Sequence, residues 1–205
     1  MFFSRKNDPI HSQASGPVEW IIAGLGNPGR QYENTRHNTG FAAVDTLADS
    51  MHVTIDRLKF KGLTAVGSLM GHRVLLLKPS TFMNLSGQSV QEAMQFYKIP
   101  AERVLLLFDD ISLPCGRMRI RRKGSDGGHN GVKNILYLTG KDTFPRVKIG
   151  VGQKPDAGWD LADWVLSHYS KEESAMMKQV YEKIPQVCSL ILDDRLDEAM
   201  NRFNS

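Results

Sequence analysis

The feature that most constrains the fold is an unbroken apolar run, Val104-Leu105-Leu106-Leu107-Phe108, stopped at once by Asp109-Asp110. The run is short for a helix and has no polar alternation, so it reads as a strand covered on both faces. Such a strand needs packed layers above and below it, and the surrounding sequence supplies them. Strand-like stretches at 20–24, 63–69, 73–78, 117–122 and 147–151 are interleaved with helical stripes at 41–52, 86–97 and 131–138. Phe41, Val44, Leu47, Ala48 and Met51 recur at helical spacing in the first stripe. Val90, Ala93, Met94 and Tyr97 do so in the second, which Pro100 stops. Met70-Gly71-His72 predicts a hairpin turn. Helices are expected at 171–183 and 187–203, joined near Pro185. The expected fold is α/β, a single three-layer domain with a mixed twisted central sheet flanked by helices.

A chain of 205 residues accommodates one such domain. Residues 1–19 mix Ser, Pro, Gly, His and both charge signs without periodicity. They are expected to form a flexible N-terminal tail ahead of a folded domain at 20–205. No apolar run approaches the roughly 18 residues of a membrane helix, and the tail lacks the apolar core of a secretory signal. The two cysteines, Cys115 and Cys188, are far apart and suit a reduced, cytoplasmic protein. The net charge of +4 is unevenly spread. Residues 117–148 hold nine Lys or Arg against Asp126 and Asp142, a balance of +7, whereas residues 156–205 carry −5. A basic middle beside an acidic end fits either a polyanion-binding face or an ordinary solvated surface.

Three polar loops carry the chemistry. Gly24-Leu25-Gly26-Asn27-Pro28-Gly29 has the glycine spacing of a dinucleotide loop. No helix opens inside it, however, and no acid-terminated strand follows about 20 residues on. The glycines are better explained by a sharp turn at a strand end, which leaves the Asn27 carboxamide above the sheet. The loop continues to Thr35-Arg36-His37-Asn38, where His37 is either a general base or a hydrogen-bonding loop residue. A second loop, 79–87, offers Phe82 and Asn84; a third, 124–131, offers four glycines, His129 and Asn130. Asp109, closing the buried strand, would enter the same crevice and could orient His37. No nucleophile elbow, HExxH, CxxC or Walker sequence is present. What remains is activation of water without metal or cofactor, with amides to hold an oxyanion.

The segments GLGNPGRQYENTRHNTGF (24–41), KPSTFMNLSG (78–87), DDISLPCG (109–116) and KGSDGGHNG (123–131) resemble, in order, the signatures of bacterial-type peptidyl-tRNA hydrolases. The likeness runs from Trp20 to the C-terminus and includes Trp164-Val165-Leu166 and the terminal AMNRFN. It implies a peptidyl-tRNA hydrolase-like fold and hydrolysis of the ester joining a peptide to the 3′ end of tRNA. By position, the resemblance makes His37 the base, Asp109 its orienting carboxylate and Asn27 the substrate-sensing amide and oxyanion donor. Tyr32, Phe82, Asn84 and Asn130 would line the site for the 3′ nucleotide and peptide backbone. The basic stretch would bind tRNA phosphates, and the family is implied to be metal-free and often monomeric. The chain departs from the pattern at Arg121 and Lys148, where relatives place Lys and Arg respectively as a candidate phosphate clamp. It departs again at Ser112, where a carboxylate is usual, and in its long N-terminus. The main alternative is an RNA-binding homologue without catalysis. If His37 is not the base, His129 is the next candidate.

Overall fold

The computed structural model describes residues 16–204. Seven strands form one sheet: β1 (Trp20–Gly24), β2 (Arg57–Lys59), β3 (Gly62–Leu69), β4 (His72–Pro79), β5 (Val104–Asp110), β6 (Met118–Arg121) and β7 (Arg146–Gly150). Their order is β2-β3-β4-β1-β5-β7-β6. The inner four are parallel, β4 to β1, β1 to β5 and β5 to β7, while β2, β3 and β6 add antiparallel edges. The sheet is therefore mixed, and its central strands are the apolar ones.

Side-chain alternation divides the core. Ile22, Leu105 and Leu107 pack with Val44, Leu47, Val187 and Ile191, on the side of α1 (Thr39–Ser50), α5 (Lys171–Tyr181), α6 (Ile184–Leu192) and α7 (Leu196–Phe203). Ile21, Leu106 and Phe108 pack with Val90, Ala93, Val132 and Ile135, on the side of α2 (Ser86–Tyr97) and α3 (Asn130–Thr139). The run at 104–108 is thus buried on both faces because it lies between two helical layers.

Strand order reverses at β1, with β4 on one side and β5 on the other. The carboxyl ends of β1 and β5 consequently flank a crevice of the kind that open α/β sheets use for ligands. Helix α1 comes very close to this point. A Cβ on Gly40 would lie 2.3 Å from the Leu107 carbonyl oxygen, and one on Gly24 2.2 Å from the Gly40 oxygen. The glycines of the first loop therefore allow helix and strands to touch, and the chain after Gly29 enters a single 3-10 turn, Arg30–Tyr32, rather than a helix. The loop therefore does not present the helix N-terminus that a dinucleotide loop offers to a pyrophosphate.

Several boundaries differ from expectation. Residues 1–15 of the expected tail lie outside the described residues. Val18 is already buried and Glu19 N donates to the Arg73 oxygen at 2.8 Å, so the fold is engaged before Trp20. The edge strand β2 and the short helix α4 (Leu161–Val165) were not expected. The stretch 187–203 is not one helix: Asp194, at φ 59°, separates α6 from α7. Pro185 sits in the first turn of α6, where its missing N–H costs nothing. Phe41 is only partly buried, its ring lying over Gly26 rather than in the core. No helix among the described residues is long and apolar enough to cross a membrane.

Candidate active site

A cleft of about 700 Å³ opens over the carboxyl ends of β1, β5 and β7, lined by Asn27, His37, Phe82, Asn84, Asp109 and Asn130 among others. By strand alternation Asp109 falls on the α1 side, beneath the 3-10 turn Arg36–Asn38 that carries His37. Asp109 is 3% exposed and receives two imidazoles. His37 Nδ1–H donates to both carboxylate oxygens at 2.9 Å, and His129 Nε2–H donates to Oδ1 at 2.9 Å.

The two histidines are not equivalent. His129 is the N-cap of α3, and its Nδ1 accepts the Val132 N–H at 3.2 Å. A backbone N–H can only donate, so His129 Nδ1 holds a lone pair and Nε2 carries the proton given to Asp109. Both nitrogens are committed, and His129 is not free to take a proton from water. His37 spends only Nδ1–H on Asp109, which leaves the Nε2 lone pair for the cleft. This is the tautomer a general base requires.

Electrostatics follow from the same contacts. Burial disfavours the Asp109 carboxylate, but the electrostatic attraction and hydrogen bonds of the two imidazoles outweigh it and hold the group well below the usual carboxylate range. Burial likewise lowers the His37 pKa, and the charge and hydrogen bond of Asp109 outweigh it, leaving a net rise. Asp109 thus stays ionised and orients His37 while making it more basic.

Asn27 is positioned by two neighbours. Asn38 Oδ1 accepts its N–H at 2.7 Å and Asn38 Nδ2 donates to its carbonyl at 2.9 Å, which fixes the backbone. Its own Oδ1 accepts the Met83 N–H at 2.8 Å. The donor there is a main-chain amide, so the side-chain orientation follows: oxygen inward, Nδ2 hydrogens toward the cleft. A fixed donor near a base is the arrangement that holds a developing oxyanion.

Of the remaining expected residues, Phe82, Asn84, Asn130 and Lys148 line the cleft and Tyr32 and Arg121 do not. Phe82 is 54% exposed on the rim. Tyr32 is not a lining residue but meets the Phe82 ring edge-on at 6.5 Å. Asn84 lies in the 3-10 turn Met83–Leu85 and Asn130 opens α3, both exposed. Lys148 lines the cleft and is ion-paired with Asp110 at 2.5 Å. Asp110 is kept ionised, because its bonds to Lys148 and Ser112 outweigh its partial burial. Ser112 donates to it from both N and Oγ. Arg121 is outside the cleft, with Nη1 turned to the Ile120 carbonyl at 3.0 Å. In the antiparallel β6–β7 register Arg121 faces Arg146 and Lys148 faces Arg119, so Arg121 and Lys148 are diagonal neighbours on one face.

Sequence reasoning gave no site role to Asn38, or to the cleft wall of Asp160, Leu161, Ala162, Val165 and Leu166 contributed by α4 and its ends. A signal for that helix was present: Asp160 before Leu161, Trp164 and Val165 is an N-cap followed by apolar residues at helical spacing. His37, Asp109 and His129 are the one cluster among the described residues that could offer ligand atoms to a metal ion. A cation there would break both hydrogen bonds to Asp109, the contacts that set the tautomer of His37. The donor set fits proton chemistry better.

The peptidyl-tRNA hydrolase family model matches residues 21–205. The chain belongs to the peptidyl-tRNA hydrolase family. It is 51% identical over 185 residues to the peptidyl-tRNA hydrolase of Lachnoclostridium phytofermentans, covering 90% of this chain and 96% of that protein. Against the peptidyl-tRNA hydrolase of Caldanaerobacter subterraneus the values are 49%, 90% and 99%. The crystal structure of peptidyl-tRNA hydrolase from Acinetobacter baumannii superposes with a TM-score of 0.86 at 35% identity, covering 93% of this chain and 97% of that one. The α/β architecture above is therefore the peptidyl-tRNA hydrolase fold.

Proposed function

We propose that the chain hydrolyses the ester between a peptide and the 3′-terminal ribose of tRNA, with His37 as the base. The observation that carries the mechanism is the asymmetry of the two histidines on Asp109: only His37 keeps a free ring nitrogen facing the cleft. A water on Nε2 gives up its proton as it attacks the ester carbonyl. The carbonyl oxygen gains the negative charge and is met by Asn27 Nδ2–H. Collapse of the tetrahedral species breaks the bond to the ribose oxygen, and the His37 imidazolium returns the proton to that leaving group. Peptide acid and free tRNA result, with no covalent intermediate and no metal. General-base catalysis is worth about 10²–10⁴-fold, which an activated ester makes sufficient.

Substrate contacts divide by chemistry. Phe82, with Tyr32 behind it, offers a ring for the terminal base, and the amides of Asn84 and Asn130 suit the 3′ nucleotide and peptide backbone. Arg121 and Lys148 would meet acceptor-stem phosphates. In this reading Lys148 exchanges Asp110 for phosphate, and a monomer acts on tRNA in the cytoplasm. The test is release of a labelled N-acetyl-aminoacyl group from tRNA, with free aminoacyl-tRNA and His37→Ala in parallel. Release from the blocked substrate only, lost in the variant, is expected. Binding of tRNA with no release would make the chain an RNA-binding relative without catalysis.

A further inference from the structure

We infer that Arg36 is the positioning residue for His37, joining the turn that carries the base and the α4 wall of the cleft into one body. The inference deepens the hydrolase reading and rests on it. Arg36 immediately precedes His37 and is 3% exposed. Its guanidinium donates from Nη1 to Glu173 Oε1 at 3.0 Å and to the Val151 carbonyl at 2.8 Å. Nη2 donates to Glu173 Oε2 at 2.7 Å and Nε to Ser167 Oγ at 3.1 Å. The guanidinium carbon lies 3.8 Å from the ring centre of Trp164 and 4.9 Å from that of Tyr169. The main chain adds a bond from Arg36 N to the Ser167 carbonyl at 3.0 Å, and Thr35 forms a bridge with His168.

Every one of these partners lies between residues 151 and 173, far from Arg36 in sequence. That segment contains α4, whose Leu161, Ala162 and Val165 face the cleft while its Trp164 supports Arg36. A single 3-10 turn has little internal hydrogen bonding with which to fix its own orientation. Here the orientation is imposed from outside, by a planar fork held on three sides. Glu173 is itself anchored: Oε2 accepts the Ser170 N–H at 2.8 Å, closing the capping box of α5. Rotation of the His37 turn would therefore strip a buried cation of its carboxylate and its stacking partner together. Lysine could not substitute, because it lacks both the fork and the plane.

The experiment compares wild type with Arg36→Lys and with the double variant Arg36→Met/Glu173→Gln, which leaves no buried charge unpaired and so is expected to fold. Turnover of N-acetyl-aminoacyl-tRNA should fall by at least about 10-fold in both, with KM within about twofold, because small displacements of a catalytic group are costly. The His37 imidazole NMR resonances should shift in both variants while those of His129 stay in place. A folded double variant with wild-type turnover would overturn the inference. So would losses of turnover that vanish on cooling below the unfolding transition, since those report stability alone. Should the double variant not fold, Arg36→Lys decides by the same readings. Should wild type release nothing, the hydrolase reading fails; unchanged His37 resonances in Arg36→Lys would separately refute the positioning role.

Discussion

At the scale of single residues, the site is an exercise in assigning protons. Asp109 accepts from two imidazoles, and what distinguishes them is a backbone N–H three residues beyond His129. His37→Ala should reduce turnover by about 10²–10⁴-fold with little change in KM, read from steady-state release of N-acetyl-aminoacyl groups. If Asn27 donates to the oxyanion as proposed, Asn27→Ala should reduce it by about 10²–10³-fold. The pH dependence follows from the raised pKa of His37. In the proposed mechanism His37 acts only when neutral, so turnover should rise with pH through a midpoint above the ordinary histidine value of about 6.5. In Asp109→Asn the raising charge is gone and burial remains, so that midpoint should drop below wild type, together with turnover. A pH–rate profile of both proteins checks the sign. Stability moves differently. The raised pKa of His37 contributes stability below about pH 6.5 that is lost as pH climbs through the folded pKa, and the lowered pKa of Asp109 contributes stability that persists until strongly acid pH.

At the scale of elements, close contact between α1 and the β1–β5 pair brings the turn that carries His37 down onto the sheet, where the Arg36 contacts hold its orientation. Gly40 opens that contact, and a methyl group there would meet the Leu107 carbonyl oxygen at 2.3 Å and Leu25 N at 2.5 Å. Both atoms belong to backbone and cannot swing aside. Gly40→Ala should therefore destabilise by about 1–3 kcal/mol or more, measured by urea unfolding, and should depress turnover as the His37 turn is displaced. The elements missed in the sequence share a cause. β2 is a three-residue edge with exposed side chains and carries no period, while α4 is five residues long and offers only its Asp160 cap and a single helical step, a faint signal. The division of α6 from α7 at Asp194 was hidden because apolar residues continue at helical spacing through a single left-handed residue.

At the scale of the whole molecule, the question is how the basic side chains of β6 and β7 cooperate with a cleft whose lining sets Asp109, Asp110, Asp126 and Asp160 against Lys148. Arg121 lies on the same sheet face as Lys148 but outside the cleft, so it is the residue with which to separate tRNA binding from chemistry. Arg121→Ala should weaken tRNA binding uniformly and lower the slope of log affinity against log salt by about one. Cleavage of a small ester lacking the tRNA body should be unchanged. Fluorescence titrations across salt concentrations and a small-substrate assay test the two halves. A loss on the small ester as well would move Arg121 from phosphate contact to support of the site.

Much of this protein was legible in its sequence because the strongest signals are local. A doubly apolar strand, three polar loops at strand ends and the absence of any nucleophile or metal motif all follow from residue type and spacing. From those come the layered α/β fold and the crevice, with His37, Asp109 and Asn27 as polar candidates at its mouth; the roles that the proposed function gives these three come from the family resemblance. Tertiary structure alone decided which histidine is free, which way the Asn27 amide points, that Asn38 holds its backbone and that Arg36 reaches 137 residues along the chain to Glu173. Hydrogen bonds depend on direction and on sub-ångström distance between groups remote in sequence. Periodicity carries neither, so it locates the participants and leaves their protons to the folded chain.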